Sequence, residues 1–286
     1  MSCILLGTCR GGYCIISVNA IILLPTTLFY VHKSSLRTDG SQKGKDMALV
    51  KLDKTGTVFT LTMGAGENRW NTALVDELSA ALDEVEQSKG AAALVTTGAS
   101  EKFYSNGLDL DWRNAPADHP EAGDPEAFFF MEFMARMITL PVPTIAAVNG
   151  HAFGAGFMFA LCHDYRIMRQ DRGYMCANEI QLGMIIPAAE LSLFRHKLPA
   201  HVFYESVQLA RRWGAPHALD AGVVNDVATR DELLQKAVVK AEELAPLAVN
   251  RKQFGIQKEN IFGENSILND TNGAAYHLRT KARYPK

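Results

Sequence analysis

The stretch "TIAAVNGHAFGAGFMFALCHDYRIM", residues 144–168, joins an apolar run to a glycine-rich turn, then to a second apolar run that ends in charge. Between Gly150 and Met158 it holds no acid, base or nucleophile except His151. A chain that leaves a strand and opens a helix at such a turn exposes backbone N–H groups that have no partner inside the helix. The turn can therefore bind an anion or a developing negative charge. Glycine can equally serve only a tight turn or a close packing contact. Its glycines fall at 150, 154 and 156, which is not the G-x-G-x-x-G dinucleotide pattern, and no G-K-[ST] follows, so it is not a P-loop.

Outward from this turn the pattern is regular. "ALVKLDKTGTVFTLTM" alternates apolar and polar positions about Lys54-Thr55-Gly56 and predicts a β-hairpin. "NTALVDELSAALDEVEQS" places Leu74, Val75, Leu78, Leu82 and Val85 on one helical face. "AAALVTTG" is a short buried strand, and "EAFFFMEFMARMITL" is a helical segment closed by Pro141 and Pro143. Strands alternating with helices imply parallel pairing and an α/β core. From Pro187 onward the chain becomes mostly helical, through "PAAELSLFRHKL", "AHVFYESVQLARRW" and "RDELLQKAVVKAEELAPLAVNRKQF". A second turn, "KFYSNGLDLDW", residues 102–112, resembles the first in offering small residues between strand and helix.

The 286 residues are 48% hydrophobic and 21% charged, enough for a sizeable core. With 29 Lys+Arg against 31 Asp+Glu the net charge is -2, so no general basic field draws the chain to nucleic acid. Of the five cysteines, Cys3, Cys9 and Cys14 crowd the start, while Cys162 and Cys176 lie far apart without metal-ligand spacing, and a reducing compartment without a disulfide framework is expected. Residues 1–46 differ in style from the rest. Their apolar stretch, residues 13–31, fits a signal or membrane anchor; Arg10, Lys33 and Arg37 without an acid before Asp39 fit a mitochondrial targeting segment; the abrupt change fits an upstream extension before a second start at Met47. The last four residues are not an S-K-L type of peroxisomal address, and peroxisome and mitochondrion both stay open.

"FYSNGLDL", then "AAVNGHAFGAGFMFALCHDYRIM", then "ANEIQLGMIIP" resemble in order and spacing the crotonase (enoyl-CoA hydratase/isomerase) family. The resemblance implies an α/β spiral of ββα units over residues 47–198 and a helical trimerisation region over 199–286. It also implies an acyl-CoA thioester substrate, no separate cofactor or metal, no stable membrane association of the core, and a homotrimer or dimer of trimers. The backbone N–H groups matching the family's oxyanion hole are those of Leu108 and Ala155. Two such donors hold the negative charge that develops on the thioester oxygen when the neighbouring carbon loses a proton, and each contributes about 3–4 kcal/mol.

A base is also required. Where the family's hydratases carry one glutamate in the helix after the glycine turn, this chain has Met158, and where they carry another it has Glu179. A single acid resembles the 3,2-enoyl-CoA isomerases, in which one glutamate moves a proton from C2 to C4 and no water is added. Desolvation by Ile180, Leu182, Ile185 and Ile186 would raise the pKa of Glu179 toward neutrality. A helix cap, or a surface pair with Arg166 or Arg169, is the competing reading.

The resemblance places Ser105, Asn106, Gly107, Asp109 and Gly154 around substrate and CoA, with Lys281, Arg279 or Arg283 as phosphate partners. Asp109 is expected to cap the helix that follows it and orient the first N–H. His151 is expected to pack rather than carry protons. His163 and Asp164 lack a nucleophile, so a hydrolytic triad is not expected, and Asp164 is expected to fix the next strand. The "FFFMEFM" cluster fits either an acyl pocket or plain core. Asn68, Arg69 and Asn71 fall where the family turns its chain near CoA. A hydratase, hydrolase, decarboxylase or dehalogenase of the same family, and a non-enzymatic RNA-binding relative, are the alternatives.

Overall fold

In the computed structural model the chain divides into two units, Met1–Asp46 and Met47–Lys286. The structure describes residues 9–10, 13–14, 48–64, 66–116, 130–263 and 272–280. In the first unit these form β1 (Cys9–Arg10) and β2 (Tyr13–Cys14), paired antiparallel. Among the described residues no helix is long and apolar enough to cross a membrane.

The second unit is built on a six-stranded sheet in the order β11-β9-β7-β5-β4-β3. It opens with the hairpin of β3 (Val50–Thr55) and β4 (Val58–Met63), turned at Gly56 with φ 59°. All other neighbours are parallel: β5 (Ala93–Gly98), β7 (Thr144–Val148), β9 (Tyr165–Arg169) and β11 (Asp226–Ala228). Parallel neighbours need a crossover between them. The first is α1 (Thr72–Gln87), capped by Asn71, whose side chain accepts from Leu74 N, and buried through Leu74, Val75, Leu78, Leu82 and Val85, the stripe its spacing predicts.

A second sheet is not foreseen by the sequence pattern. It has three parallel strands, β6 (Phe103–Ser105), β8 (His151–Phe153) and β10 (Met175–Cys176), in the order β10-β8-β6. Each turn of the chain thus gives a strand to the large sheet, a shorter one to the small sheet, and then a helix or helical turn. The sequences are β5-β6-α2 (Leu110–Asn114), β7-β8-α4 (Ala155–Cys162), and β9-β10 followed by the 3-10 turn Glu179–Leu182. This repeating ββα step is the spiral, and it brings the ends of β6, β8 and β10 side by side.

Both faces of the large sheet are covered, which is why β5 and β7 read as unbroken apolar runs. On one face Val58, Val95, Ile145 and Ile167 meet Ala237 and Ala241 of α8 (Leu233–Leu244). On the other lies the main core, with α1, α3 (Phe130–Ile138), α4, α5 (Ala188–Lys197) and α10 (Ala274–Arg279). Asp164 ties the starts of β7 and β9 together: its carboxylate accepts from Thr144 N (2.9 Å), Thr144 Oγ1 (3.0 Å) and Lys258 Nζ (2.7 Å).

The helical region is more broken than its periodicity predicts. α6 stops at Val207 (Ala200–Val207), and Ala210 has φ 47°, so the chain turns before Trp213. Beyond α7 (Ala215–Asp220), the segment with helical spacing becomes α8, the 3-10 turn Ala245–Ala248 around Pro246, and α9 (Arg251–Phe262), capped by Asn250. Proline has no N–H to continue the ladder, which accounts for the break.

Candidate active site

The small sheet positions the site. Beyond β6 the chain turns through Asn106 and Gly107, and beyond β8 through Gly154. The two turns touch: a Cβ on Gly107, which has φ 87°, would lie 2.8 Å from Phe153 O and 3.8 Å from Ala155 N. A Cβ on Gly156 would lie 2.5 Å from Ser105 O. Glycine is required at both for the backbones to approach.

Leu108 forms an isolated parallel bridge with Trp70, in which Trp70 N donates to Gly107 O and Asp109 N to Trp70 O, both at 2.9 Å. Because backbone groups alternate in direction along an extended chain, the N–H of Leu108, between these two bonds, points away from Trp70. Ala155 is the first residue of α4, where an N–H has no partner inside the helix. Among the described residues neither N–H has a protein acceptor. Both residues line one cleft.

Glu179 opens the 3-10 turn that borders the same cleft, held by Met184 N donating to its carbonyl (2.9 Å) and by Gly183 at φ 70°. Its Oε1 would lie 3.0 Å from a Cβ on Gly154, and its Oε2 is buried without a hydrogen-bond partner. Burial raises its pKa, partly offset by its own backbone N–H. Neither arginine considered from sequence pairs with it. Arg166 donates to Val223 O (2.7 Å), and Arg169 pairs with Asp171 (2.6 Å) and Glu101.

The expected apolar jacket is corrected by the structure. Ile180, Leu182 and Ile185 are 50%, 54% and 65% exposed, and only Ile186 is buried. A short 3-10 turn has too few residues to wrap its own side chain, and the carboxylate of Glu179 lies instead against Gly154 at the start of α4. Leu182 and Ile185 form an apolar lip on the cleft, which Leu110, Phe130, Met158 and Met184 continue inward.

Asn106, Gly107 and Gly154 also line the cleft. Ser105 does not: it is fully buried, its hydroxyl donating to Asn68 O (2.7 Å) and accepting from Trp70 Nε1 (3.0 Å), which braces the first turn from behind. Asp109 caps α2, accepting from Trp112 N (3.2 Å), and also accepts from Asn71 Nδ2 (3.1 Å). Lys281 and Arg283 lie outside the described residues, and Arg279 pairs with Glu259 (2.6 Å). Phe130 reaches the cleft while Phe133 is core.

His151 packs among Phe153, Phe103 and Tyr174, with ring centroids 5.0 to 5.7 Å away, and does not line the cleft. His163 is buried, bonded to Thr96 Oγ1 (2.7 Å) and Phe159 O (2.8 Å), and burial pulls its pKa down to about 3. Neither is placed for proton transfer in the cleft.

One acid in the cleft escaped the sequence reading. Glu190, in the first turn of α5, is 5% exposed and lines the same cleft. Its helical spacing to the buried Leu193 and Phe194 is the signal that could have found it.

Residues 53–258 match the family described as Enoyl-CoA hydratase/isomerase. The chain belongs to this family. It is 31% identical over 245 residues to Enoyl-CoA delta isomerase 3 of Arabidopsis thaliana, covering 82% of this chain and 92% of that relative. It is 29% identical to the peroxisomal Enoyl-CoA delta isomerase 2 of the same plant, covering 74% and 92%. Among solved structures, an enoyl-CoA hydratase/isomerase family protein from Pseudomonas syringae superposes with a TM-score of 0.69 at 26% identity, covering 81% of this chain and 94% of that one. The fold is thus of the crotonase type, and the protein is an acyl-CoA enzyme of that family.

Proposed function

We propose that this family member shifts the double bond of a 3-enoyl-CoA to the 2-trans position. The observation that carries this reading is that Glu179, with its unpaired buried oxygen, faces the same cleft as the unpartnered N–H groups of Leu108 and Ala155, while α4 presents Met158. The Glu179 carboxylate removes a proton from C2, the thioester oxygen takes up the charge between the two N–H donors, and a proton is placed on C4. In its simplest form one carboxyl performs both transfers. The apolar lip and inner wall suit a hydrocarbon acyl chain. The delta-isomerase relatives support this reaction over hydration, and the peroxisomal one supports a peroxisome over a mitochondrion.

The working assembly in this reading is a homotrimer or dimer of trimers, with CoA entering as part of the substrate. Incubation with 3-cis- and 3-trans-enoyl-CoA alongside 2-trans-enoyl-CoA, with isomerisation and hydration followed separately, tests it. Hydration without isomerisation would overturn it.

A further inference from the structure

An acid in the first turn of a helix is ordinarily a surface residue that favours the helix dipole. Glu190 is not: it is only 5% exposed, and it lines the wall of the cleft. A carboxyl buried in this way is more unfavourable ionised than neutral. Burial pushes it up to about 8, the charge of Glu179 adds to this, and the charge of Arg113 offsets part of it. The cleft therefore holds two carboxyls whose surroundings set them apart: Glu179, half-buried against Gly154, and Glu190, deeper, on α5. Paired groups separated in this way divide into a base and an acid. Met158, from α4, keeps the wall beside them apolar.

We propose that Glu190 is the acid of this site, delivering the proton to C4 while Glu179 takes the one from C2. The inference rests on the isomerase reading above. The C2–H bond breaks as Glu179 gains its proton, and the electron pair passes into the enolate held by Leu108 and Ala155. The pair then returns, forming the C2–C3 double bond as the C3–C4 double bond opens, and C4 bonds the proton released by Glu190. The enzyme is left with a protonated Glu179 and an ionised Glu190. A proton transfer from Glu179 to Glu190, direct or through solvent, restores the starting state, and no other reactant is needed.

The test is a label experiment on the full chain. A 3-enoyl-CoA deuterated at C2 is turned over once in ordinary water, and the deuterium at C4 of the product is measured by mass spectrometry, for wild type and Glu190→Gln. With Glu190 as donor, wild-type product carries solvent hydrogen at C4. In Glu190→Gln, isomerisation falls by roughly 10²-fold or more while exchange of the C2 label with solvent continues. Deuterium carried from C2 to C4 by wild type, or wild-type isomerisation in Glu190→Gln, overturns the inference and leaves the isomerase reading standing. If Glu190→Gln does not fold, Glu190→Met, which removes the carboxyl from the apolar wall, is assayed in its place with the same two outcomes. A wild type that isomerises no 3-enoyl-CoA removes the reading and the inference together.

Discussion

The carboxyl of Glu179 rests on the backbone of Gly154, so closely that a Cβ there would stand 3.0 Å from Oε1. Gly154 also has φ 49° and ψ -118°, a conformation that side chains disfavour. One glycine therefore fixes both the base and the start of α4, where Ala155 offers its N–H. Gly154→Ala is expected to displace the carboxyl, lowering kcat by roughly 10²-fold and stability by about 1–3 kcal/mol. Steady-state kinetics and thermal unfolding check this, and near-normal turnover contradicts it.

The first turn makes a parallel case. Gly107→Ala would push a Cβ to within 2.8 Å of Phe153 O at a residue with φ 87°, and so re-aim the N–H of Leu108. Loss of one such donor lowers kcat by roughly 10²–10³-fold. Leu108→Ala keeps the N–H, and its kcat is expected to stay close to wild type. If the two variants lose activity equally, the side chain rather than the backbone is at work.

The rate should depend on pH at both ends. Glu179 acts as a carboxylate and burial raises its pKa, so activity rises with pH through a midpoint above the ordinary 4.5. Glu190 acts as an acid, so activity falls as pH passes about 8. A kcat profile that stays flat from neutrality to pH 9 contradicts the second limb.

Folding stability should peak at mildly acidic pH. The folded state holds more protons than the unfolded chain wherever Glu190 is neutral in one and ionised in the other, between about 4.5 and about 8, so its contribution weakens as pH rises across that window. His163 acts in the opposite sense. Its folded pKa of about 3 lies below the ordinary 6.5, so the folded state holds fewer protons in between and loses stability as pH falls from 6.5 toward 3. Between about 4.5 and 6.5 the two slopes oppose each other, so urea unfolding across pH 3 to 9 should show stability falling below about 4.5 and again above about 6.5, and Glu190→Gln should flatten the alkaline fall.

Much of this was legible in the sequence because it rests on local rules. The α1 stripe follows from 3.6-residue spacing, the β3-β4 hairpin from alternation about Gly56, and the Asp109 cap from residue type. The two turns and Glu179 were legible through the series of motifs. The small sheet was not, because strands such as Met175–Cys176 are too short to show a period of two. Ile180 and Ile185 are apolar yet exposed, and Glu190 is charged yet buried. Each of these depends on which neighbour the spiral brings against it, not on the residue or its spacing alone.

In the proposed reaction Glu179 removes the C2 proton in a cleft whose backbone holds the enolate. The most direct measurement is turnover of a 3-enoyl-CoA to the 2-trans product by wild type and by Glu179→Gln, with thermal unfolding to show that the variant is folded. The expected result is isomerisation by wild type and a loss of at least roughly 10³-fold in kcat in the variant, the scale of a missing general base and the steps that depend on it. A folded Glu179→Gln that isomerises at the wild-type rate would contradict the account.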